Sequence, residues 1–215
     1  MDTSSLTPGY FSNKTILTLL AHPDDEVLGC GGTLIRAVEE GATVHCYIPV
    51  KRIAEDCEKA MDNIGVSTLH FGDWEDNSID KRPLLDLCKF FSKAVGQIKP
   101  DFIFTHFHNC TNIDHRYCYE AAIVANSFTR ATMLMCEIPS STGYLKPCHF
   151  DPNFYITIKP EHFVKKLHTL GIYGTEEKQY PHPRCFEKIR CLHETRGAEC
   201  NSKYAEAFVL VRKVI

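Results

Sequence analysis

The sequence predicts an α/β protein with a doubly wound, mainly parallel sheet and helices on both faces, in a single domain. Short apolar runs alternate with helix-length amphipathic segments along most of the chain, and glycine or proline stands at several boundaries. The length of 215 residues, 44% of them hydrophobic, suits one ordinary core. We expect a short flexible lead-in over residues 1–13 and one domain over residues 14–215.

The first third of the chain predicts strands and helices in strict alternation. In order, they are strand 15–20, helix 32–40, strand 43–50, helix 53–64 and strand 68–71. Gly41 and Gly65 follow the two helices, and glycine commonly supplies the left-handed conformation that ends a helix. The first strand is apolar almost throughout, which is typical of a strand that is buried on both faces.

After a polar loop over residues 72–82, the same alternation continues. It predicts helix 83–98, strand 101–105, helix 115–126 and strand 131–138. Pro83 suits the first turn of its helix, where a missing N–H group leaves no hydrogen bond unmade. The less regular remainder predicts strand 155–158, helix 161–170, helix 183–194 and strand 205–212. Since no internal repeat or linker interrupts the chain, a single domain is favoured.

Charge and hydropathy exclude several classes of protein. The formal net charge is −3, with lysine and arginine scattered, so the sequence predicts no nucleic-acid partner. No apolar stretch approaches the roughly 18 residues that span a bilayer, so no membrane partner is predicted either. The first residues lack the basic start and apolar run of a signal peptide, and we expect a cytoplasmic protein. A homo-oligomer is compatible with the sequence, which identifies no interface.

Eleven cysteines are many for this length, but no Cys-x-x-Cys pair occurs, which argues against a thiolate zinc ribbon or a redox dithiol. We expect reduced thiols that behave as small core residues. Three of them lie in apolar patterns: Cys46, Cys88 and Cys136. Three others are close in sequence and could hold a second metal, although incidental thiols are the favoured interpretation: Cys185, Cys191 and Cys200.

The most informative segment is Ala21-His22-Pro23-Asp24-Asp25-Glu26, directly after the first predicted strand. In an open α/β sheet, ligands bind at the carboxyl ends of the strands, where the strand order reverses. An imidazole and nearby carboxylates on such a turn suit a divalent metal with a neighbouring base. The segment therefore predicts a metal hydrolase.

A second polar segment, Thr105–Arg116, also follows a strand and precedes a helix. In the Rossmann strand order, the first and fourth strands border the crevice where the order reverses, so the two segments should face each other. His106 and His108 are equally compatible with solvated loop residues and with substrate contacts.

The two motifs together resemble the LmbE-like (PIG-L) family of metal-dependent N-deacetylases. The similarity extends over nearly the whole chain. It includes the segments Gly31-Gly32-Thr33, Asp76-Asn77, Pro181-His182-Pro183-Arg184, Arg196-Gly197 and Tyr204–Phe208. The resemblance implies a Rossmann-like fold, a zinc ion and removal of an acetyl group from an N-acetylated sugar.

By this resemblance, His22, Asp25 and His115 match the metal ligands, and Asp24 matches the general base. Two imidazoles and one carboxylate leave a coordination position open for water, and they accept zinc or, as the alternative, iron(II). Asp114 resembles a catalytic-site carboxylate that orients a ligand, and the alternative is a helix cap.

The chain departs from the family pattern at two positions. Asn112 stands where some members carry a histidine, and Cys110 where relatives usually show aspartate. Asparagine can donate a hydrogen bond to substrate but cannot supply a proton. His182, between two prolines, is therefore our candidate for the missing catalytic imidazole. Arg52 and Arg184 are candidate substrate-binding residues, with a solvated helix start and a salt bridge, respectively, as the more common alternatives.

Two further features have structural interpretations. Glu26 is expected to cap or orient the following turn, with a direct catalytic role as the less favoured alternative. The run Gly29-Cys30-Gly31-Gly32 lacks the third glycine of a dinucleotide motif, since Leu34 occupies that place, and we exclude NAD binding. The small residues are expected to let the helix pack closely against the metal loop.

The sequence thus predicts a zinc-dependent amidohydrolase. Its expected substrate is a small molecule, an N-acetylated amino sugar that is free or conjugated to a nucleotide or another small group. The alternatives are a deacylase of a non-sugar amide, a sugar-binding protein that holds metal without turnover, and a phosphatase with Asp24 as nucleophile.

Overall fold

The computed structural model describes residues 9–143, 149–174 and 178–215. Its strands are β1 (Thr15–Leu19), β2 (Thr43–Val50), β3 (Thr68–Trp74), β4 (Phe102–His106), β5 (Thr132–Cys136), β6 (Phe154–Ile158) and β7 (Tyr204–Arg212). Its helices are α1 (Asp25–Glu39), α2 (Ala54–Ile64), α3 (Leu84–Ile98), α4 (Ile113–Ala125), α5 (Pro160–Ile172) and α6 (Phe186–Glu199), with a short 3₁₀ turn at Ile79–Lys81.

The strands form one sheet in the order β3-β2-β1-β4-β5-β7-β6. Strands β1 to β5 are parallel, whereas β7 runs antiparallel to both β5 and β6. The order reverses between β1 and β4, because the chain builds outward from β1 on one side and resumes at β4 on the other. The predicted α/β fold with a doubly wound, mainly parallel sheet is confirmed.

Both faces of the sheet are covered by helices. Ile16 of β1 and Phe104 of β4 belong to a core that also contains residues of α1, α2, α5 and α6. The next residue of β1, Leu17, belongs to a second core with residues of α3 and α4. Successive side chains of a strand point to opposite faces, so an apolar strand such as β1 supplies both cores.

Most element boundaries lie within a few residues of the prediction, but α1 differs. It begins at Asp25, seven residues before the predicted start at Gly32, so the carboxylates of the motif open the helix. Gly29 and Gly31, which precede the predicted helix, therefore lie inside the observed one. The last helix, α6, also begins later than predicted, at Phe186 rather than Pro183.

The glycines inside α1 allow close contact with the sheet. A Cβ atom on Gly29 would lie 2.6 Å from Cδ1 of Ile138, and one on Gly32 would lie 2.7 Å from Cδ1 of Ile158. The expectation that they pack against the metal loop is therefore wrong, since their neighbours lie on β6 and just after β5. The absence of side chains here brings the start of α1 close to the sheet.

Replacing Gly32 by alanine is expected to lower the free energy of unfolding by about 1–3 kcal/mol, because overpacking outweighs the better helix propensity of alanine. Urea denaturation followed by circular dichroism measures this. Gly96→Ala in α3 is the matched control, since its Cβ would meet nothing within 4 Å. The control should gain about 0.4–1 kcal/mol. Equal stabilisation of both variants would contradict close packing at Gly32.

The described end of the lead-in packs on the domain. Phe11 is fully buried, its ring lies 5.5 Å from that of Phe102, and its N–H group donates to Glu40 Oε2 at 2.9 Å. Residues 9–13 thus contact the sheet, while residues 1–8 lie outside the described residues. The domain boundary at residue 14 stays a prediction.

Cys46, Cys88 and Cys136 are buried as expected. Within the described residues, no cysteine joins a group with metal-ligand geometry, so a second metal at Cys185, Cys191 and Cys200 has no support. Across the same residues, no helix combines the length and the hydrophobicity that crossing a bilayer needs.

Candidate metal centre and active site

The two polar segments meet where the strand order reverses. Thr105 Oγ1 in β4 donates to the carbonyl oxygen of Leu19 at 3.0 Å. The backbone N–H of Ala21 donates to Nε2 of His106, the last residue of β4, at 2.8 Å. These bonds hold the loop after β1 against the end of β4, and segments about 85 positions apart in sequence form one site.

His22, Asp25 and His115 form a buried group with metal-ligand geometry. Asp25 Oδ2 lies 3.1 Å from His22 Nδ1 and 3.3 Å from His115 Nε2, and the two nitrogens are 3.3 Å apart. Asp25 Oδ1 is buried with no hydrogen-bond partner among the described residues. Two imidazoles and a carboxylate fit zinc or iron(II), so the residues present suit the ion that the sequence predicts.

Charges around this group favour a cation. Burial acts to raise the pKa of Asp25, but the nearby His115 and His106 rings outweigh it and hold that pKa well below its usual range. Burial acts to lower the pKa of His22, but hydrogen bonds to Asp114 and Asp25 raise it to about 10. Both shifts arise because carboxylates face imidazoles at short range, an arrangement in which a metal cation can replace the proton that His22 holds.

Asp114 orients His22. Its Oδ2 lies 3.0 Å from His22 Nε2, and its Oδ1 accepts from the N–H of Ile79 at 3.1 Å. With a metal at Nδ1, Nε2 would keep the proton that Asp114 accepts, an arrangement common among metal-binding histidines. The helix-cap alternative is wrong, because Asn112 Oδ1 caps α4 by accepting from the N–H of Asp114 at 2.8 Å.

A second group with metal-ligand geometry shares His22 and comprises Asp76 and Asp114. Asp76 Oδ1 lies 3.4 Å from His22 Nε2, but its Oδ2 pairs with Arg52 Nε at 3.1 Å, and the side chain is 32% exposed. The fully buried group at Asp25 is the better metal site. The sequence indicated Asp76 only as part of the family resemblance. It indicated Arg52 as a candidate substrate-binding residue, but not that Arg52 pairs with Asp76.

Asp24 adopts an unusual backbone conformation. Its φ is 112° and its ψ −29°, and the side chain is almost fully buried. Its Oδ2 accepts from Arg184 Nη1 at 2.8 Å, and Arg184 Nε donates to Ser140 Oγ at 3.0 Å. The N–H of Asp24 donates to Glu26 Oε2 at 3.1 Å, so Glu26 orients the turn as expected. Such a conformation persists where the surroundings over-determine it, often at functional sites.

His182 lies beside Arg184 rather than among the metal ligands. Its Nδ1 accepts from the N–H of Arg184 at 3.1 Å, so the neutral ring carries its proton on Nε2. Burial and the charges of Arg184 and Lys178 lower the pKa of His182. The ring is therefore neutral near pH 7 and can donate a hydrogen bond.

The remaining predicted residues have mixed outcomes. His106 is fully buried, so it is neither a solvated loop residue nor exposed to substrate. Its ring stacks on that of His115 with centroids 3.8 Å apart. Burial and His115 lower the pKa of His106. His108 is exposed. Asn112 Nδ2 lies 3.5 Å from Asn77 Oδ1, while Cys110 Sγ contacts a threonine hydroxyl and is buried.

Comparisons with known proteins identify relatives of this chain and structures that share its fold. A relative from Escherichia coli (strain K12), described as the uncharacterized deacetylase YaiS, is 27% identical over 189 residues, covering 78% of this chain and 94% of its own. N,N'-diacetylchitobiose deacetylase from Pyrococcus horikoshii has a similar structure, with a TM-score of 0.77 and 17% identity over 97% of this chain and 87% of that one.

The same fold also occurs with another activity. GalB from Pseudomonas putida KT2440, a 4-carboxy-2-hydroxymuconate hydratase, has a TM-score of 0.76 and 16% identity, covering 94% of this chain and 98% of that one. Because the fold is shared by proteins of different activity, the sequence match is the stronger evidence for the family. The GlcNAc-PI de-N-acetylase (PIG-L) family model matches residues 17–51 and 49–126, which include both motifs. Together with the Escherichia coli relative, this indicates a deacetylase, a hydrolase of amide bonds. The chain belongs to the GlcNAc-PI de-N-acetylase (PIG-L) family.

Proposed function

We propose that the chain hydrolyses the acetamide of an N-acetylated amino sugar, free or conjugated to a nucleotide or another small molecule. The observation that carries this proposal is the separation of roles in one site. His22, Asp25 and His115 form a buried ligand group, while the adjacent Asp24 is turned to Arg184. A metal-dependent hydrolase needs such a spare carboxylate beside its ligands.

Zinc or iron(II) would be held by the ligand group. When bound there, the ion supplies Lewis-acid chemistry, which lowers the pKa of water and polarises an amide carbonyl. Asp24 accepts the proton of the attacking water and later delivers it to the amine nitrogen. The bond from water oxygen to the acetyl carbon forms, the carbon–nitrogen bond breaks, and acetate leaves with the free amine.

Residues around Asp24 support this reaction. Arg184 stabilises the ionised, proton-accepting form of Asp24 through their 2.8 Å contact. His182, as a neutral ring with its proton on Nε2, suits a hydrogen bond to the developing oxyanion better than proton transfer. Asp114 keeps His22 oriented. Arg52 and Asn112 remain candidate substrate contacts. Arg52 pairs with Asp76, which lies 3.4 Å from His22 Nε2, and Asn112 contacts the neighbouring Asn77.

A cavity lies beside the loop that carries Arg184, and its lining includes neither Asp24 nor the ligand group. An open cavity of about 360 Å³ borders the Arg184 loop, with Pro139, Thr142 and Pro183 in its lining. This volume suits a small-molecule site. The family description and the diacetylchitobiose deacetylase support an N-acetylglucosamine unit as the reacting group.

The test is acetate release from a panel: N-acetylglucosamine, N,N'-diacetylchitobiose, a nucleotide-linked N-acetylglucosamine and an N-acetyl amino acid. Removal of metal by a chelator is expected to abolish release, and one equivalent of zinc or iron(II) per chain should restore it. His115→Ala should lose both the metal and the activity, while Asp73→Asn at the exposed rim of β3 should lose neither.

Three results would contradict the proposal. Sugar binding without acetate release would indicate a non-catalytic binding protein. Preference for the acetylated amino acid would indicate a non-sugar deacylase. Phosphate release that depends on magnesium would indicate the phosphatase alternative.

A further inference from the structure

A chain of buried hydrogen bonds links the end of α5 to the backbone of Asp24. Tyr173, directly after α5, is fully buried, and its hydroxyl donates to Glu26 Oε1. Glu26 is also fully buried, and its Oε2 accepts from the N–H of Asp24 at 3.1 Å. Each carboxylate oxygen of Glu26 thus has its own donor, one from α5 and one from the catalytic turn.

This linkage bears on the conformation of Asp24. A positive φ is uncommon outside glycine and costs on the order of 1–3 kcal/mol. The hydrogen bond to Glu26 favours this conformation because it orients the amide of Asp24 towards a fixed acceptor. Tyr173 holds the other oxygen of Glu26, and loss of that donor would let the buried side chain turn away from the Asp24 amide.

Loss of the Tyr173 hydroxyl should therefore change the position of Asp24, although Tyr173 contacts none of the three candidate metal ligands through this hydrogen bond. Tyr173 is 147 positions from Glu26 in sequence and contacts the turn from the side of α5, whereas the metal ligands gather at the ends of β1 and β4. An error of about 1 Å in the placement of a catalytic group can lower the rate by about 100-fold.

We propose that Tyr173 is a positioning residue: through Glu26 it holds Asp24 in the conformation that accepts the proton of water. The expected effect on kcat rests on the proposed function. The expected effect on the conformation of Asp24 rests on the hydrogen-bond geometry alone. It assigns Tyr173 an effect on kcat and none on metal or substrate binding.

The variant Tyr173→Phe tests this, because it removes one oxygen and leaves the ring. We expect kcat to fall by about 10-fold, with KM and metal content within about twofold of the wild type. Tyr204→Phe is the matched control: this tyrosine of β7 is also buried, but stacks on Phe163, and kcat should be unchanged. An equal loss in both variants, or a loss of metal in Tyr173→Phe, would overturn the proposal.

A double-mutant cycle with Glu26→Gln shows whether Tyr173 acts through Glu26. Glutamine keeps an oxygen for the Asp24 N–H but places an amide NH2 group where Glu26 accepts from the Tyr173 hydroxyl, so that acceptor is lost. If the path runs through Glu26, adding Tyr173→Phe to Glu26→Gln should change kcat by less than about twofold. Multiplying losses would mean that Tyr173 acts independently, and the proposal would be wrong.

An amide-exchange measurement separates this inference from the proposed function. NMR hydrogen exchange should show the Asp24 amide exchanging about 10-fold faster in Tyr173→Phe and unchanged in Tyr204→Phe. This result does not depend on any substrate. If the exchange changes but no acetate is released by the wild type, only the proposed function fails; if the exchange is unchanged, the positioning role fails.

Discussion

Replacing Asp24 by asparagine is expected to lower kcat for acetate release by about 10³-fold, since general acid–base catalysis contributes about 10²–10⁴-fold. Asparagine has nearly the same shape and tolerates positive φ, so the turn should keep its conformation. It cannot accept a proton from water at neutral pH. Steady-state kinetics on the best substrate of the panel measures the loss, with metal content determined on the same preparation.

Metal content decides how the result is interpreted. If Asp24 is the base, the variant keeps one metal ion per chain and its KM stays within about threefold of the wild type. Loss of metal would instead make Asp24 a ligand, contrary to its contact with Arg184. Asp114→Asn is a useful comparison, because it weakens the orientation of His22 and should lower metal affinity by about 10–100-fold.

The candidate metal ligands could be predicted from sequence because their signal is local. His22 and Asp25 stand in one motif after β1, and His115 lies in the first turn of the helix that follows β4. Parallel strands bring such loops to the same edge of the sheet, so the expected topology sufficed to bring them together. The strands were predicted for a similar reason, because burial on both faces makes them apolar throughout.

The contacts that support the site could not be found in this way. Arg184 lies 160 positions from Asp24, and Tyr173 lies 147 positions from Glu26. A buried tyrosine or arginine in a helix or loop has the same sequence pattern whether or not it contacts a catalytic turn. The start of α1 was missed because glycine weakens helix propensity, and the close packing at Gly32 that requires glycine is a tertiary effect.

A second buried network holds α1 further along. Lys166 of α5 is fully buried, and its Nζ lies 2.6 Å from Glu206 Oε1 and 2.9 Å from the carbonyl oxygen of Leu28. Glu206 also accepts from the N–H groups of Gly32 and Thr33 at 2.9 and 2.6 Å. The pair thus joins α5 and β7 to the backbone of the helix that begins with the metal motif.

The charges in this network depend on one another. Burial acts to raise the pKa of Glu206, but the charge of Lys166 outweighs it and holds that pKa well below its usual range. Burial and the Lys166 charge lower the pKa of His193, so its ring is neutral, donates from Nδ1 to Ile189 and accepts from Lys166. The stability that Glu206 contributes is present above its unfolded pKa of about 4.3 and is lost as the pH falls towards its folded pKa.

Replacing Lys166 by methionine is expected to lower the free energy of unfolding by about 3–5 kcal/mol, because it leaves the Glu206 carboxylate buried without its cation. Urea denaturation at two pH values tests the cause as well as the size. Without Lys166, burial raises the pKa of Glu206, so the folded variant retains a proton that the unfolded chain releases. The loss relative to wild type should therefore be larger near about pH 8 than near about pH 5.

Two controls make this expectation specific. Lys165→Met, on the neighbouring and partly exposed position of α5, should change stability by less than about 0.5 kcal/mol. The double variant Lys166→Met with Glu206→Gln removes both charges and should recover part of the loss, with little dependence on pH. If Lys166→Met is equally destabilised at both pH values, the loss comes from packing rather than from the unpaired carboxylate, whose protonation would differ between the two pH values.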